Sequence, residues 1–395
     1  MPRPFARALR HPPTSLPAAA SCRADATTSR ARFCHQEPGN PSWRRRAVRA
    51  CVAVLTTAAL LAAAACSDSG GGSGGRKKMS FVVANISLNF ALEMANGGKY
   101  AAEEAGGIDL KIVGPATTDG PQEVQMFQNT ITTNRDGAVV ENLAPDLFTR
   151  PYAQAVDKGI PVVALDTVPL DGSKVDLYVG NDNYELGTQL ADEAIERLPA
   201  NARGTVVLGV PNPGVPVLDS RAKGIKDTFA KKLPGVTIKG PFQTFSDPGQ
   251  SYNAWSSQVR ANRNALAFLG VGDADSYSLA RLKKETGGKW LSGGFDLDAK
   301  TLEAVKDGTN FVTISPEHYL KGYVAMRLLA EAVKDGSELP KGWFYTPGLV
   351  VDSGNIDAII TRQSSDDARR KGIADEVKKL FADTDAYLRP LEDAR

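Results

Sequence analysis

The sequence predicts an α/β protein with two doubly wound domains, each built on a parallel sheet. From Ser80 onward, short apolar runs rich in β-branched residues alternate with amphipathic stretches, which is the spacing of repeated strand–helix units. Runs such as VVALD at 162–166 lack the alternation of a half-exposed strand, as expected for parallel strands covered on both faces. The predicted strands are too many for one compact sheet of this type, so two sheets are expected.

The elements follow one another in strand–helix order. The predicted strands are 80–86, 110–114, 137–142, 161–166, 177–181, 205–210, 236–240, 265–270, 291–296 and 311–315. The predicted helices are 91–105, 120–134, 146–158, 184–197, 217–232, 250–262, 276–286, 298–307 and 318–335. The first crossing between the domains is placed at Asn181 and Asp182, after the fifth strand. Ligands of open parallel sheets bind beyond the carboxyl ends of the strands, so the loops that follow the strands are the candidate site.

The region before Ser80 has the pattern of an export signal. Residues 44–49 read RRRAVR, and the uncharged, alanine-rich run 50–65 follows. A membrane-spanning helix usually needs about 20 strongly apolar residues, which this run does not provide. Cys66 is the last of the four cysteines, and the stretch 67–78, SDSGGGSGGRKK, has the composition of a flexible tether.

The end of this segment resembles a bacterial lipoprotein signal, because small residues precede Cys66 and a Gly/Ser stretch follows it. The resemblance implies that residues 1–66 are an N-terminal extension and signal peptide, that Cys66 is lipidated, and that the exported chain is anchored on the outer side of the cell membrane. Ala63 stands where that family prefers Leu. Cleavage after an Ala-x-Ala run, without a lipid, is the alternative.

Charge and composition exclude several classes of function. Residues 1–66 hold ten arginines and two acids, which leaves 37 basic and 43 acidic residues in the rest of the chain. A net negative body is opposite to what nucleic-acid binding requires. After Cys66 the sequence has no cysteine and one histidine, His318, which leaves few options for metal sites or histidine-based triads. We therefore expect no catalytic residue, no metal, no cofactor and no nucleic-acid partner.

Polar side chains collect in the loops after the predicted strands. The candidate ligand-binding residues are Asn89, Phe90, Asn142, Asp166, Arg221, Asp273, Asp296 and Glu317. Carboxylates accept hydrogen bonds, the Arg fork donates them and amides do both, which suits an uncharged, polyhydroxylated ligand. Because Asp and Asn also favour loops and N-caps, we assign Asp275 and Asp298 to capping. Phe245 and Trp255 are further aromatic candidates, although Trp255 is expected to pack on its own helix.

On these residues the sequence resembles the type I periplasmic sugar-binding proteins of ABC importers, in their ribose-binding-like branch, over residues 80–362. The matching motifs are NF at 89–90, VALD at 163–166, VGNDNYELG at 179–187, DSRAKG at 219–224, GFDLDAKTLEAVKDG at 294–308 and VTISPEHYLKGYVA at 312–325. The chain departs from that branch at Asp273, where Asn is common, and at Glu317, where Gln is common. Thr167 and Leu92 also differ, which argues against ribose itself as the ligand.

The resemblance implies two lobes joined by a three-crossing hinge near residues 181–182, 316 and 345–348. The N-terminal lobe would be 79–181 plus 317–345, the C-terminal lobe 182–316 plus 346–362, and residues 363–395 a helical tail. Asn89, Asp166, Arg221, Asp296 and Glu317 would bind hydroxyl groups. The protein would be a monomer that captures a small sugar or polyol and delivers it to an ABC permease.

Three alternatives accompany this interpretation. Loose similarity of 113–122 and 349–357 to autoinducer-2 and rhamnose binders allows a ligand-sensing lipoprotein. Asp273 and Asp296 provide the two carboxylates that a sugar-acting enzyme would need. A repressor of the same fold would need a helix-turn-helix before Ser80, where the sequence has a signal and a tether instead.

Overall fold

The computed structural model describes residues 75–394, which belong to one compact unit. Its strands are β1 (Lys77–Val82), β2 (Ile108–Val113), β3 (Gly137–Glu141), β4 (Val162–Leu165), β5 (Leu177–Gly180), β6 (Gly204–Val210), β7 (Val236–Gln243), β8 (Ala267–Gly270), β9 (Leu291–Phe295), β10 (Val312–Ser315), β11 (Gly342–Tyr345), β12 (Leu349–Val351) and β13 (Leu388–Arg389). Its helices are α1 (Asn89–Ala105), α2 (Gly120–Thr130), α3 (Pro145–Val156), α4 (Asn183–Glu196), α5 (Pro216–Lys232), α6 (Pro248–Ala261), α7 (Asp273–Thr286), α8 (Ala299–Lys306), α9 (His318–Asp335), α10 (Ile356–Gln363) and α11 (Asp366–Ala382). The predicted lipidation site Cys66, the signal and most of the tether lie outside the described residues.

The strands form two sheets within residues 75–394. The order in the first is β13-β11-β5-β4-β3-β1-β2, and the order in the second is β12-β10-β9-β8-β6-β7. Neighbouring strands are parallel except at one edge of each sheet. There β13 pairs antiparallel with β11 in the first sheet, and β12 pairs antiparallel with β10 in the second. We call the first sheet with its helices the N-terminal lobe and the second the C-terminal lobe. The predicted fold class is confirmed.

Three passages of the chain connect the lobes. The first follows β5, and the second follows β10, since α9 then packs on α1 of the N-terminal lobe. The third runs from β11 to β12. The first and third passages are joined, because Asn181 Nδ2 donates to the Thr346 carbonyl oxygen at 2.8 Å. The chain thus passes between the two sheets after Gly180, after Ser315 and between Tyr345 and Leu349.

All ten predicted strands and nine predicted helices are present, with ends that differ by up to four residues. The elements after residue 335 go beyond the prediction. Helix α11 buries Ile373, Val377 and Leu380 in the core of the N-terminal lobe, and β13 closes the edge of its sheet. The segment 363–395, expected as a helical tail, therefore packs as part of that lobe. Its position depends on contacts with α1 and α9 that are distant in sequence.

Glycines bring two pairs of helices into backbone contact. A Cβ on Gly322 of α9 would lie 1.9 Å from the Met94 carbonyl oxygen of α1. In the C-terminal lobe, a Cβ on Gly187 of α4 would lie 2.0 Å from the Arg221 carbonyl oxygen of α5. Real Cβ atoms do not approach so closely, so only glycine permits these packings. The Gly187 contact also fixes the position of Arg221, one of the predicted ligand-binding residues.

We expect Gly187→Ala to lower the free energy of unfolding by about 1–3 kcal/mol, because the added methyl group forces α4 and α5 apart. Urea denaturation followed by circular dichroism measures the change. The matched control is Gly249→Ala in α6, where the new Cβ would meet only an Asp247 carboxylate oxygen, at 3.3 Å. Equal stability of the two variants would contradict this account of the packing.

Candidate functional site

A cavity of about 520 Å³ lies at the carboxyl ends of the strands, with walls from both lobes. Six of the eight predicted ligand-binding residues line it: Asn89, Phe90, Asp166, Arg221, Asp273 and Asp296. The volume falls in the range of about 300–1,000 Å³ that is typical of small-molecule sites. The loops after β1, β2, β3 and β4 supply the N-terminal side, and those after β6, β7, β8 and β9 supply the C-terminal side.

A buried ion pair lies on the N-terminal side of the cavity. The Lys321 ammonium of α9 is fully buried and donates to Asp166 Oδ1. Burial alone would raise the pKa of Asp166, but the positive charge of Lys321, with a contribution from Arg221, lowers it to about 2. Asp166 is therefore ionised at neutral pH and presents a charged hydrogen-bond acceptor to the cavity.

Arg221 lies on the C-terminal side, in the first turns of α5. Its Nε donates to Asn183 Oδ1 at 2.9 Å and its Nη1 to the Val271 carbonyl oxygen at 3.1 Å. The guanidinium carbon lies 4.4 Å from the centre of the Phe295 ring. Stacking and hydrogen bonds hold the group in one orientation, so its planar fork is ready for a ligand oxygen before the ligand arrives.

Asp296 and His318 connect the C-terminal lobe to the second hinge passage. The His318 Nε2 and Asp296 Oδ1 atoms are 2.9 Å apart, and both side chains are buried. Burial lowers the pKa of His318, and nearby Lys321 lowers it further, against the opposing effect of Asp296. A neutral ring therefore donates from Nε2 to Asp296. The ring of Phe90 lies 5.6 Å from the His318 ring, between centroids.

Asp273 carries an acceptor that the described protein residues leave unused. Its Oδ1 is buried and has no hydrogen-bond partner among residues 75–394. Burial, reinforced by Asp296 and Asp298, raises the pKa of Asp273 well above its ordinary value. The unused Oδ1 can accept a hydrogen bond from a hydroxyl group of a ligand.

Three residues after strands adopt left-handed backbone conformations. The φ angles are 64° at Asp166, 72° at Asp296 and 54° at Glu317. Asp tolerates this region better than most residues, and such conformations cluster at functional sites. At Asp166 and Asp296 the conformation occurs where the side chain lines the cavity.

A model of the periplasmic binding protein domain family matches residues 79–338, about two-thirds of the chain. The chain belongs to the periplasmic binding protein family. Among curated relatives, a xylose/arabinose-binding protein of Sulfolobus acidocaldarius is 23% identical over 53% of this chain and 55% of its own length. The D-allose-binding periplasmic protein of Escherichia coli is 24% identical over 66% of this chain and 85% of its own length.

A solved structure shows the same fold. It is an ABC transporter solute-binding protein of Burkholderia graminis in complex with D-arabinose, which is 24% identical and has a TM-score of 0.66. The comparison covers 71% of this chain and 97% of that chain. At this identity the similarity establishes the architecture of a type I periplasmic binding protein. Within residues 75–394, no helix combines the length and the apolar character that crossing a bilayer requires.

Two of the predicted ligand-binding residues do not line the cavity of this binding protein. Asn142 donates from Nδ2 to the Tyr152 hydroxyl at 3.0 Å and accepts from the Ala144 backbone, so it organises the loop before α3. Glu317 accepts two hydrogen bonds of 2.8 Å from Arg362. Both follow a strand as predicted, but the local backbone turns their side chains toward the protein.

The capping assignments are confirmed. Asp275 Oδ2 accepts from the Gly272 backbone at 3.0 Å, and its Oδ1 accepts from Trp255 Nε1 at 2.8 Å. Asp298 Oδ1 accepts from the Lys300 backbone at 2.9 Å, although the residue also lines the cavity. Trp255 is fully buried, as expected of a packing residue.

Sequence reasoning missed Lys321 and did not assign His318 to the site. Lys321 interrupts an otherwise apolar stretch of α9, and a lysine in such a stretch indicates a buried charge. His318 is the one histidine after Cys66. The described residues contain no group of three or more His, Cys, Asp or Glu side chains arranged to hold a metal ion.

We expect Lys321→Met to destabilise the protein by about 3–5 kcal/mol at neutral pH, because it leaves Asp166 as an unpaired buried charge. Denaturation in urea between pH 2 and 7 measures this. In the wild type, the lowered pKa of Asp166 adds stability above pH 3.8, and this stability is lost as the pH falls through about 2. The deficit of the variant should shrink over the same range, since a protonated Asp166 needs no counterion.

The matched control is Lys174→Met. Lys174 pairs with Asp157 on the surface, where both side chains are more than half exposed. Removing an exposed pair should change the stability by less than about 1 kcal/mol. A cost at Lys321 no larger than the cost at Lys174 would show that the buried pair does not support the site.

Proposed function

We propose that this chain is an extracytoplasmic solute-binding protein that captures a small sugar or polyol between its lobes and delivers it to an ABC import permease. The observation that carries the proposal is the single cavity in which Asp166 of one lobe faces Arg221 and Asp273 of the other. The names of the two curated relatives, which bind pentoses and allose, support the same class of ligand.

The mechanism we propose is closure of the two lobes on the ligand. Asp166 accepts from hydroxyl groups on one side, while Arg221 donates and Asp273 completes the set on the other. Only the closed form makes both sets of hydrogen bonds, so the ligand shifts the equilibrium toward closure. A ligand that contacted one lobe alone would not change the open–closed balance.

The hinge contributes directly to this closure. Glu317 lies on the second passage and forms an ion pair with Arg362 of α10. The apolar side of α10 packs against the C-terminal lobe. His318, the next residue, binds Asp296 inside the cavity. A movement of this passage therefore moves a side chain of the site. No chemical conversion of the ligand is proposed, and no residue is assigned a catalytic role.

The test is a thermal-shift screen of the purified full-length chain against pentoses, hexoses, deoxy-sugars and alditols, followed by calorimetric titration of the hits. A ligand present at 1,000 times its Kd should add about 4 kcal/mol of stability. Turnover of a bound sugar would favour the enzyme alternative. Absence of binding across the panel would overturn the proposed function.

We expect Asp273→Ala to weaken binding of the identified sugar by about 10- to 100-fold, because the truncated side chain can no longer form a hydrogen bond with the ligand. The unliganded melting temperature should change little, since Asp273 Oδ1 has no partner among the described residues. Asp375→Ala, on the exposed face of α11, is the matched control. Equal affinity of both variants would remove Asp273 from the site.

We also propose that the exported chain is anchored through Cys66, a residue outside the described part of the chain. We expect Cys66→Ser to move the protein from the membrane fraction to the soluble fraction of expressing cells, because the serine cannot form the thioether that holds the lipid. Fractionation and mass spectrometry of the mature N-terminus measure this. Ser67→Ala is the control, and an unchanged membrane fraction for Cys66→Ser would contradict the anchor.

A further inference from the structure

A second cavity of about 370 Å³ adjoins the main one. The two share five lining residues, Thr118, Leu143, Asn212, Ser246 and Asp247. The remaining walls of the second cavity come from both lobes, with Gly120, Glu123 and Ala144 on one side and Val215, Phe245 and Gln250 on the other. The second cavity is therefore a continuation of the cleft. We call it the outer pocket.

Phe245 gives the outer pocket an aromatic wall. The sequence marks it as an aromatic candidate, yet it lines the outer pocket and not the main cavity. Its backbone is left-handed, with φ at 64°, and its N–H donates to the Pro211 carbonyl oxygen at 3.1 Å. A bulky residue in this conformation is uncommon and is held by the surrounding structure. The ring provides an apolar face of the kind that ligand pockets use.

Polar groups in fixed positions accompany the ring. Asn212 Nδ2 donates to Ser246 Oγ at 2.9 Å, which joins two loops of the C-terminal lobe. Asp247 Oδ1 accepts from the Gln250 backbone at 2.9 Å and so fixes the start of α6. The Gln250 residue itself is exposed at the pocket wall. An aromatic face with a few oriented amide and hydroxyl groups is the composition expected for a hydroxylated ring.

Glu123 adds an unused acid on the opposite wall. Its side chain is buried, and its Oε1 has no hydrogen-bond partner among the described residues. Burial, together with the nearby Glu141 carboxyl, raises the pKa of Glu123 to about 10. At neutral pH the Glu123 carboxyl group is therefore uncharged and can both donate and accept hydrogen bonds. A neutral hydroxyl group of a ligand is a sufficient partner for it.

We infer that the outer pocket is a subsite for a second sugar ring, so that the cleft accepts a disaccharide whose first ring occupies the main cavity. The inference rests on the proposed function. The main cavity alone already has the volume of a small-molecule site, so it can hold the first ring by itself. The outer pocket is then available for a second ring, which extends the proposed function to disaccharides. Phe245 would cover the apolar face of the second ring, and Gln250 and Asn212 would bind its hydroxyl groups.

The experiment is calorimetric titration of the full-length chain with matched pairs of sugars: D-xylose and xylobiose, L-arabinose and arabinobiose, D-glucose and cellobiose, D-galactose and lactose. We expect at least one disaccharide to bind at least tenfold more tightly than its monosaccharide. Phe245→Ala should reduce this preference at least tenfold and change the affinity for the monosaccharide less than twofold. Leu170→Ala, at an exposed position outside both cavities, is the control.

A second variant guards against misfolding of Phe245→Ala. Val215→Phe adds a ring at a residue that lines the outer pocket only, and it should block the disaccharide while the monosaccharide still binds. Monosaccharide binding without any disaccharide preference, or equal losses for both sugars in Val215→Phe, would overturn the subsite and leave the proposed function in place. Failure of every sugar to bind would overturn the proposed function, and the subsite with it.

Discussion

The buried ion pair between Lys321 and Asp166 is the interaction on which the site depends. A carboxylate removed from water needs a partner, and Lys321 supplies it from the interior of α9. Gly322, the next residue, lets α9 pack against the backbone of α1, so the position of the lysine is set by helix packing in the N-terminal lobe. The position of the Lys321 ammonium beside the cleft therefore depends on a helix contact outside it.

The other ionisable groups of the cleft come from both lobes, and most of them also have partners within the protein. Arg221 and Asp296 have hydrogen-bond partners within the protein, while Asp273 Oδ1 and His318 Nδ1 have none among the described residues. Hydrogen bonds within the protein thus offset most of the desolvation free energy of these buried groups before a ligand binds. A neutral hydroxylated guest suits such a site, because it adds hydrogen bonds without adding a charge that must be balanced.

Closure and binding are coupled by chain connectivity at the second hinge passage. Glu317 and His318 are consecutive residues, yet Glu317 binds Arg362 of α10 and His318 binds Asp296 in the cavity. The left-handed backbone of Glu317 separates the directions of the two side chains. One short segment therefore contacts both the ligand site and the helix that follows the third crossing.

The sequence by itself determined the alternation of strands and helices, the two lobes, the three crossings and six residues of the cavity. These depend on local apolar patterns and on the rule that parallel strands place their carboxyl ends at one edge. Only the tertiary structure decided that Asn142 and Glu317 turn away, that Lys321 reaches Asp166, and that α11 completes the N-terminal core. Side-chain direction and long-range pairing depend on backbone angles and on distant packing partners, which a pattern of neighbouring residues does not contain.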